Sequence, residues 1–491
     1  MKFSRIALPA LAIFVSHVSA APTGPQDDCP IETRAEGVDV DVVVIGGGSA
    51  GIHAAIRLKD AGAKVLVIEK KNQIGGHAET YINPNTNFPA NVGVIIFENT
   101  TTVSSYFDRL GVEKQFFNPV LDVPAGTPPA QSFDLSVGVP IPAQTPEQTS
   151  AGQFQLLSGI QNYTANVLAK YPWIDDGYLI PEPVEAELLI PFGEYAVKYG
   201  FAPLLPIIAQ FNWYTGDVSA IPAIYGIKGL GPGLIGSFLG KFIRPSSGDT
   251  RSLYVAAQEA LGDSILLEST ATDVKREATL PDGTTGVTLT VQKNGEATAV
   301  RAKKLIVAIP QTIANIGEYD LTADEKTLFG SFSALGYYVG IVTIAGLNSS
   351  ITNVGLSTPF NQPVIPGSSG LQKQSASDFI FSLGFDDLNY DDARAKSIVQ
   401  EELKNLEAAG AVAAGASQVA TFPYSSDHGP FNLRVSTDEI NKGFYSKIEK
   451  AQGTRNTYWA GAAFAGHNSG LVWKYSEHSV LPALKKDLGL A

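Results

Sequence analysis

The sequence predicts an α/β protein in which a doubly wound sheet domain is interleaved with a second, mixed α+β domain. Three observations predict it. The β-branched run Val42-Val43-Val44-Ile45 leads directly into Gly46-Gly47-Gly48-Ser49-Ala50-Gly51, then a helical stretch over 52–61 and a second apolar strand over 64–68. The chain has 491 residues, too many for one ordinary domain. Finally, α/β texture returns at 249–310 and again at 456–491, separated by segments of different character. Each domain is therefore discontinuous.

Taken in order, residues 38–139 form the first part of the doubly wound domain. The segment 140–244 is an inserted, largely helical cap, with helix-like stretches at Gly152–Lys170 and Val184–Tyr199 among Pro- and aromatic-rich loops. Residues 245–310 return to the first domain with a helix over Arg251–Leu261 and strands at Ile265–Leu267, Gly286–Gln292 and Lys304–Ile309. A second insertion, 311–430, carries apolar runs at Tyr337–Ile344 and Phe379–Leu383 and a helix near Asp391–Ala408. The last part, 431–491, closes the first domain with a strand, a Gly/Ala turn and a helix.

Composition removes several classes of function. Hydrophobic residues make up 44% and charged residues 17%, which excludes a disordered or coiled-coil chain. The net charge of −13 gives no electrostatic reason to bind nucleic acid or an anionic membrane. Lys2 and Arg5, the apolar run Ile6 to Val15 and the small residues Val18-Ser19-Ala20 read as a secretory signal peptide over residues 1–20. The expected location is extracellular, with N-glycan acceptors at Asn99, Asn162 and Asn348. The apolar stretch Gly200 to Trp213 is broken by Pro203 and Pro206 and too short to span a bilayer. Cys29 is the only cysteine, so the chain has no intrachain disulfide, iron–sulfur cluster or thiolate-rich zinc site. No His/Asp/Glu spacing suits zinc or non-haem iron, and no metal is expected.

The glycine run carries the chemistry. Gly46 permits the tight turn, Gly48 lets the backbone approach a pyrophosphate, and Gly51 lets the helix pack on the strand. Phosphates would meet the helix N-terminus, where free N–H groups favour anions. Glu69 ends the second strand, where a carboxylate accepts from ribose hydroxyls and disfavours a 2′-phosphate. The ligand is thus FAD or NAD rather than NADP. A second match, Gly231-Pro232-Gly233-Leu234-Ile235-Gly236, has no β-branched strand before it and no acid-ended strand after it, and reads as a cap loop near the substrate.

Gly75-Gly76-His77-Ala78-Glu79-Thr80-Tyr81, with Asn91-Val92-Gly93-Val94 behind it, resembles the flavin-containing amine oxidase superfamily, whose glycine pair contacts the FAD diphosphate and flavin. It looks most like the branch of β-cyclopiazonate dehydrogenase-like FAD-dependent oxidoreductases, to which bacterial polyenoic fatty acid isomerases are similar. Thr272-Asp273-Val274 and Asn456-Thr457-Tyr458-Trp459-Ala460-Gly461 resemble two further segments of that family. The resemblance implies an amine-oxidase-like fold with a Rossmann-like FAD domain. It implies FAD contacts from Gly46, Gly48, Ser49 and Gly51, from Glu69 and Lys70, from Gly75, Gly76 and His77, from the Val274 backbone, and from Gly461, Gly470 and Leu471. The chain departs from the family at His77, where most members have arginine, and at Ala462, where an acidic residue is common.

Candidate catalytic groups are His77 after the glycine pair, His467 before the last helix, and Tyr424 and His428 in a stretch read as a loop returning from the substrate domain. The helix opened by His467-Asn468-Ser469-Gly470 would support negative charge on a reduced flavin. Cys29 lies upstream of the whole site, so a covalent flavin would have to be attached through histidine. The expected activity is hydride removal from a C–N or activated C–H bond of a hydrophobic or aromatic small molecule, with oxygen as acceptor and hydrogen peroxide as product. Two alternatives stay open: a redox-neutral isomerase moving a double bond in a polyene or fatty acid, and a non-catalytic binding protein, because Rab GDP-dissociation inhibitors use a related fold without flavin.

Overall fold

The computed structural model describes residues 37–119, 121–211 and 216–490. The signal-like residues 1–20 and Cys29 lie outside them. Val38–Ile45 occupies the centre of a seven-stranded sheet, parallel to Val65–Ile68 on one side and to Glu296–Val307 on the other. Ile265–Leu266 and Thr457–Trp459 extend the parallel order outward, while Thr270–Thr279 and Thr285–Lys293 add an antiparallel meander. Parallel strands are covered on both faces, which is why Val42 to Ile45 is an unbroken apolar run and Val42, Val43 and Val44 are fully buried. The helix Ser49–Asp60 sends Ile52, Ala54, Ala55, Ile56 and Leu58 into the same core. It starts three residues before the 52–61 stretch because Gly51 belongs to its first turn. A Cβ there would lie 3.1 Å from both the Val44 and Ala308 side chains.

The second sheet has eight strands. Its order is Thr421–Asp427, Ser333–Thr343, Asp378–Phe385, Gly367–Lys373, Ile351–Asn353, Gln131–Asp134 and Val139–Ile141, with Phe431–Arg434 pairing onto Ser333–Thr343. The helix Asp392–Ala408 is started by the Asp391 carboxylate, which accepts from the Arg394 N–H. It buries Ala395, Val399, Leu403 and Leu406 against Phe379, Phe381 and Leu383. The segment 140–244 is largely helical, as its texture indicates, with Pro146–Tyr163, Phe192–Lys198, Ala223–Lys228 and Pro232–Leu239.

Local assignments differ from the sequence reading in several further places, among them Phe431–Arg434, read as the start of the last first-domain segment but paired with Ser333–Thr343 of the second sheet. The stretch around Tyr424 and His428 is no loop: Thr421–Asp427 is the edge strand of the second sheet, where Pro423 is tolerated. The helix read across 184–199 is broken by Pro191 into a 3-10 turn, Ala186–Leu189, and a separate helix. Gln131–Asp134, read as part of the first domain, joins the second sheet by parallel pairing with Ile351–Asn353. The second glycine run is no loop either, because Pro232 takes the first helical position of Pro232–Leu239. Among the described residues no helix is long and apolar enough to cross a membrane.

Candidate active site

A cavity of about 640 Å³ runs between the two sheets. At one end lie Gly46, Gly48, Ser49, Glu69 and Lys70; along its length lie Gly75, Gly76 and Gly461; at the other end stand His77, His428, His467, Tyr337 and Phe431. Of the residues the sequence put at the cofactor, Gly51, Val274, Gly470 and Leu471 do not line it. Gly51 and Gly470 sit within helices, Leu471 is buried, and Val274 is buried at a bulge between Thr272 and Lys275.

The glycine end is shaped by what side chains would obstruct. Gly46 has φ +109°, and a Cβ there would come within 2.9 Å of the Ala308 carbonyl oxygen. The helix Ser49–Asp60 begins at Gly48 with no side-chain cap and no acidic residue in its first turn, so its N–H groups remain available to an anion. Ser49 ties this start to the last helix: its hydroxyl donates to Ser469 Oγ at 3.1 Å and accepts from the Tyr254 hydroxyl at 3.0 Å. Glu69 accepts from the backbone N–H groups of Gly47 at 2.6 Å and Lys71 at 2.7 Å. Each carboxylate oxygen keeps a further lone pair for a ribose hydroxyl.

The other end gathers three imidazoles from segments far apart in sequence. His77 stacks on His428 with ring centroids 4.3 Å apart, and His467 lies 6.2 Å from His77 in nearly the same plane orientation. Phe431 packs 4.0 Å from His467. The Asn432 N–H donates to His467 Nε2 at 2.8 Å, which requires that nitrogen to be unprotonated. Burial, with Arg434 and His428 nearby, pushes His467 down to about 3, and burial beside the other two histidines holds His77 well below its ordinary range. Tyr424, a sequence candidate, does not line the cavity; its hydroxyl donates to Glu79 at 2.8 Å.

Several polar residues at the site were not singled out in the sequence. Glu79 lies on Ala78–Ile82 and joins Lys71, Tyr424 and His428. Glu98 lines the cavity, accepts from Asn468 Nδ2 at 2.8 Å, and is pushed up to about 8 by burial and by Asp175. Asp175 accepts from the Gly233 N–H at 2.9 Å, so it occupies the start of the second glycine run's helix. Buried Lys228 donates to the carbonyls of Ile174 and Gly177, and desolvation lowers it to about 7. Only spatial proximity identifies this group, because its members are spread from residue 71 to residue 468. Among the described residues no cluster of His, Cys, Asp or Glu is placed to hold a metal ion.

The residues fit FAD. An uncapped helix start, two glycine turns without Cβ atoms and an anchored carboxylate provide for diphosphate and ribose, and the enclosed aromatic end provides for a planar ring.

Residues 44–110 match a family model described as an NAD(P)-binding Rossmann-like domain. The chain is 48% identical to the FAD-dependent oxidoreductase dpchF of Colletotrichum higginsianum, with all of both chains covered. It is 31% identical to beta-cyclopiazonate dehydrogenase of Aspergillus oryzae over 89% of this chain and 91% of that one. Among solved structures, the CLA-producing fatty acid isomerase from P. acnes superposes with a TM-score of 0.69 at 18% identity, covering 89% of this chain and 97% of that one. Cyclohexylamine oxidase from Brevibacterium oxydans superposes with a TM-score of 0.58 at 16% identity, covering 92% and 100%. An uncapped glycine turn, an anchored Glu69 and full-length similarity thus agree: this chain belongs to the family of FAD-dependent oxidoreductases that includes beta-cyclopiazonate dehydrogenase, built on the amine-oxidase-like fold.

Proposed function

We propose that this FAD-dependent oxidoreductase is a secreted oxidase of a hydrophobic or aromatic small molecule, with oxygen as its electron acceptor and hydrogen peroxide as product. The observation that carries the reading is the continuity of one cavity from the glycine turns to the three imidazoles. Bound FAD would supply a two-electron acceptor for a hydride from a C–N or activated C–H bond. The chain's share is to hold the diphosphate at Gly46 and Gly48, to exclude water with Ile95, Ile96, Leu371 and Ile380, and to orient the substrate among His77, His428 and His467. Oxygen as acceptor is supported by the second glycine run, where Asp175 takes the place a second dinucleotide's phosphate would need. Export and glycosylation are supported by the signal-like residues 1–20 and by the exposure of Asn99, Asn162 and Asn348.

The test is an absorption spectrum of the purified secreted protein, repeated on the supernatant after denaturation, followed by oxygen-electrode screening of amines, phenols and polyenes. Flavin bands released on denaturation, with oxygen uptake and peroxide formation, are expected. Bands retained in the pellet would instead mean a histidyl link. A colourless protein that FAD cannot reconstitute would overturn the reading.

A redox-neutral isomerase is the second reading, favoured by the higher TM-score to the fatty acid isomerase, 0.69 against 0.58 for cyclohexylamine oxidase. Turnover of a polyene without oxygen uptake would establish it.

A further inference from the structure

We propose that Glu79 is a positioning residue that fixes His428 as the proton acceptor of the cavity, and that the substrate carries an acidic O–H or N–H, of the phenol or aromatic amine class, conjugated with the C–H that gives up its hydride. The proposal rests on the FAD reading and specifies its substrate class.

Four observations carry it. His428 is 1% exposed, and its Nε2 lies 3.2 Å from Glu79 Oε2 while its Nδ1 has no hydrogen-bond partner. A carboxylate only accepts, so Nε2 carries a proton, and the acceptor atom in this assignment is Nδ1, which no group of the protein meets. Gly93 lets the backbone pack against the ring edge bearing the buried Nδ1: a Cβ there would lie 2.6 Å from His428 Cε1 and 3.3 Å from Nδ1. Both residues line the cavity. Glu79 is itself held by two other donors, Lys71 Nζ at 2.6 Å on Oε1 and the Tyr424 hydroxyl at 2.8 Å on Oε2. Although burial opposes ionisation, the hydrogen bond from His428 and the charge of Lys71 hold the Glu79 carboxyl well below its usual range. Lys71 supplies the buried carboxylate with a cation of its own, and His428 keeps Nδ1 for a group in the cavity.

In the step this assigns, the substrate O–H or N–H bond breaks and its proton passes to His428 Nδ1. The electron pair left behind forms the new double bond along the conjugated path as the C–H pair departs as hydride, for which bound FAD would be the acceptor. One proton and one hydride are removed, a two-electron oxidation in balance.

Glu79→Gln gives a specific forecast. Lys71 requires an acceptor at the Oε1 position, so the carbonyl of the introduced amide faces Lys71 and its NH₂ faces His428. That forces the histidine proton from Nε2 to Nδ1. The experiment is ¹⁵N NMR of histidine-labelled holoenzyme, with His428 assigned by the loss of its signals in His428→Gln. Expected are an Nε2–H tautomer in the unmodified protein and in Glu79→Asp, and an Nδ1–H tautomer in Glu79→Gln. Phenol should shift the Nδ1 resonance while anisole, which lacks the O–H, leaves it in place, and Glu79→Gln should lose the phenol response. An Nδ1–H tautomer in the unmodified protein, an unchanged tautomer in Glu79→Gln, or equal responses to phenol and anisole would each overturn the proposal. Flavin absorbance of the same samples separates the two readings: colourless protein counts against FAD alone, and coloured protein with the wrong tautomer counts against the Glu79–His428 pair alone.

Discussion

Gly48 and Gly76 face each other from two separate turns, and a Cβ on Gly76 would lie 3.0 Å from Gly48 Cα. Gly76 also has φ +59°, a conformation glycine adopts freely. Gly76→Ala should therefore narrow the cradle at the diphosphate position and cost roughly tenfold or more in FAD affinity, about 1.4 kcal/mol. The ratio of flavin to protein absorbance after gel filtration reads this directly. Gly236→Ala in the second glycine run is the control: a Cβ there meets nothing within 4 Å, so flavin content should not change.

Glu98 should make stability fall as pH rises. Its folded carboxyl is pushed up to about 8 from an ordinary 4.5, so between those values the native state binds more protons than the unfolded state. The penalty is absent below pH 4.5, grows through the interval and is complete above pH 8. Glu98→Gln should remove this slope, worth on the order of a few kcal/mol. Urea midpoints at pH 5 and pH 8 for both proteins provide the check.

His467 acts in the opposite sense. Its folded value of about 3 lies below an ordinary 6.5, so stability is lost as pH falls through that interval. His467→Ala should flatten the acid limb and, by orphaning the Asn432 N–H, cost about 1–3 kcal/mol at pH 7. Thermal melts from pH 7 down to pH 4 would show both effects.

Removing FAD should lower the melting temperature. At a free concentration a hundred times its Kd, a ligand specific for the native state adds about 2.7 kcal/mol. Deflavinated protein should melt lower by on the order of 5 °C, and added FAD should restore the transition.

The sequence was most informative where function depends on backbone. Gly46, Gly48 and Glu69 were legible because a strand, a turn and a helix are contiguous in the chain, and each requirement falls at a fixed offset. His77, His428 and His467 could be nominated one by one, but their meeting is a product of tertiary structure. Glu79 stood in plain view two residues after His77, yet nothing local marks it as the partner of a histidine 349 positions away. Thr421–Asp427 was misread as a loop because an edge strand with Pro423 and two serines lacks the β-branched signature of a central one.

Asp175 at the start of Pro232–Leu239 has a kinetic consequence. With that position filled by the chain's own carboxylate, the oxidase proposed above would receive its substrate and oxygen in one chamber, each in its turn. The steady state should be ping-pong: plots of reciprocal rate at different oxygen concentrations run parallel, and excess substrate inhibits by occupying the chamber when oxygen is due.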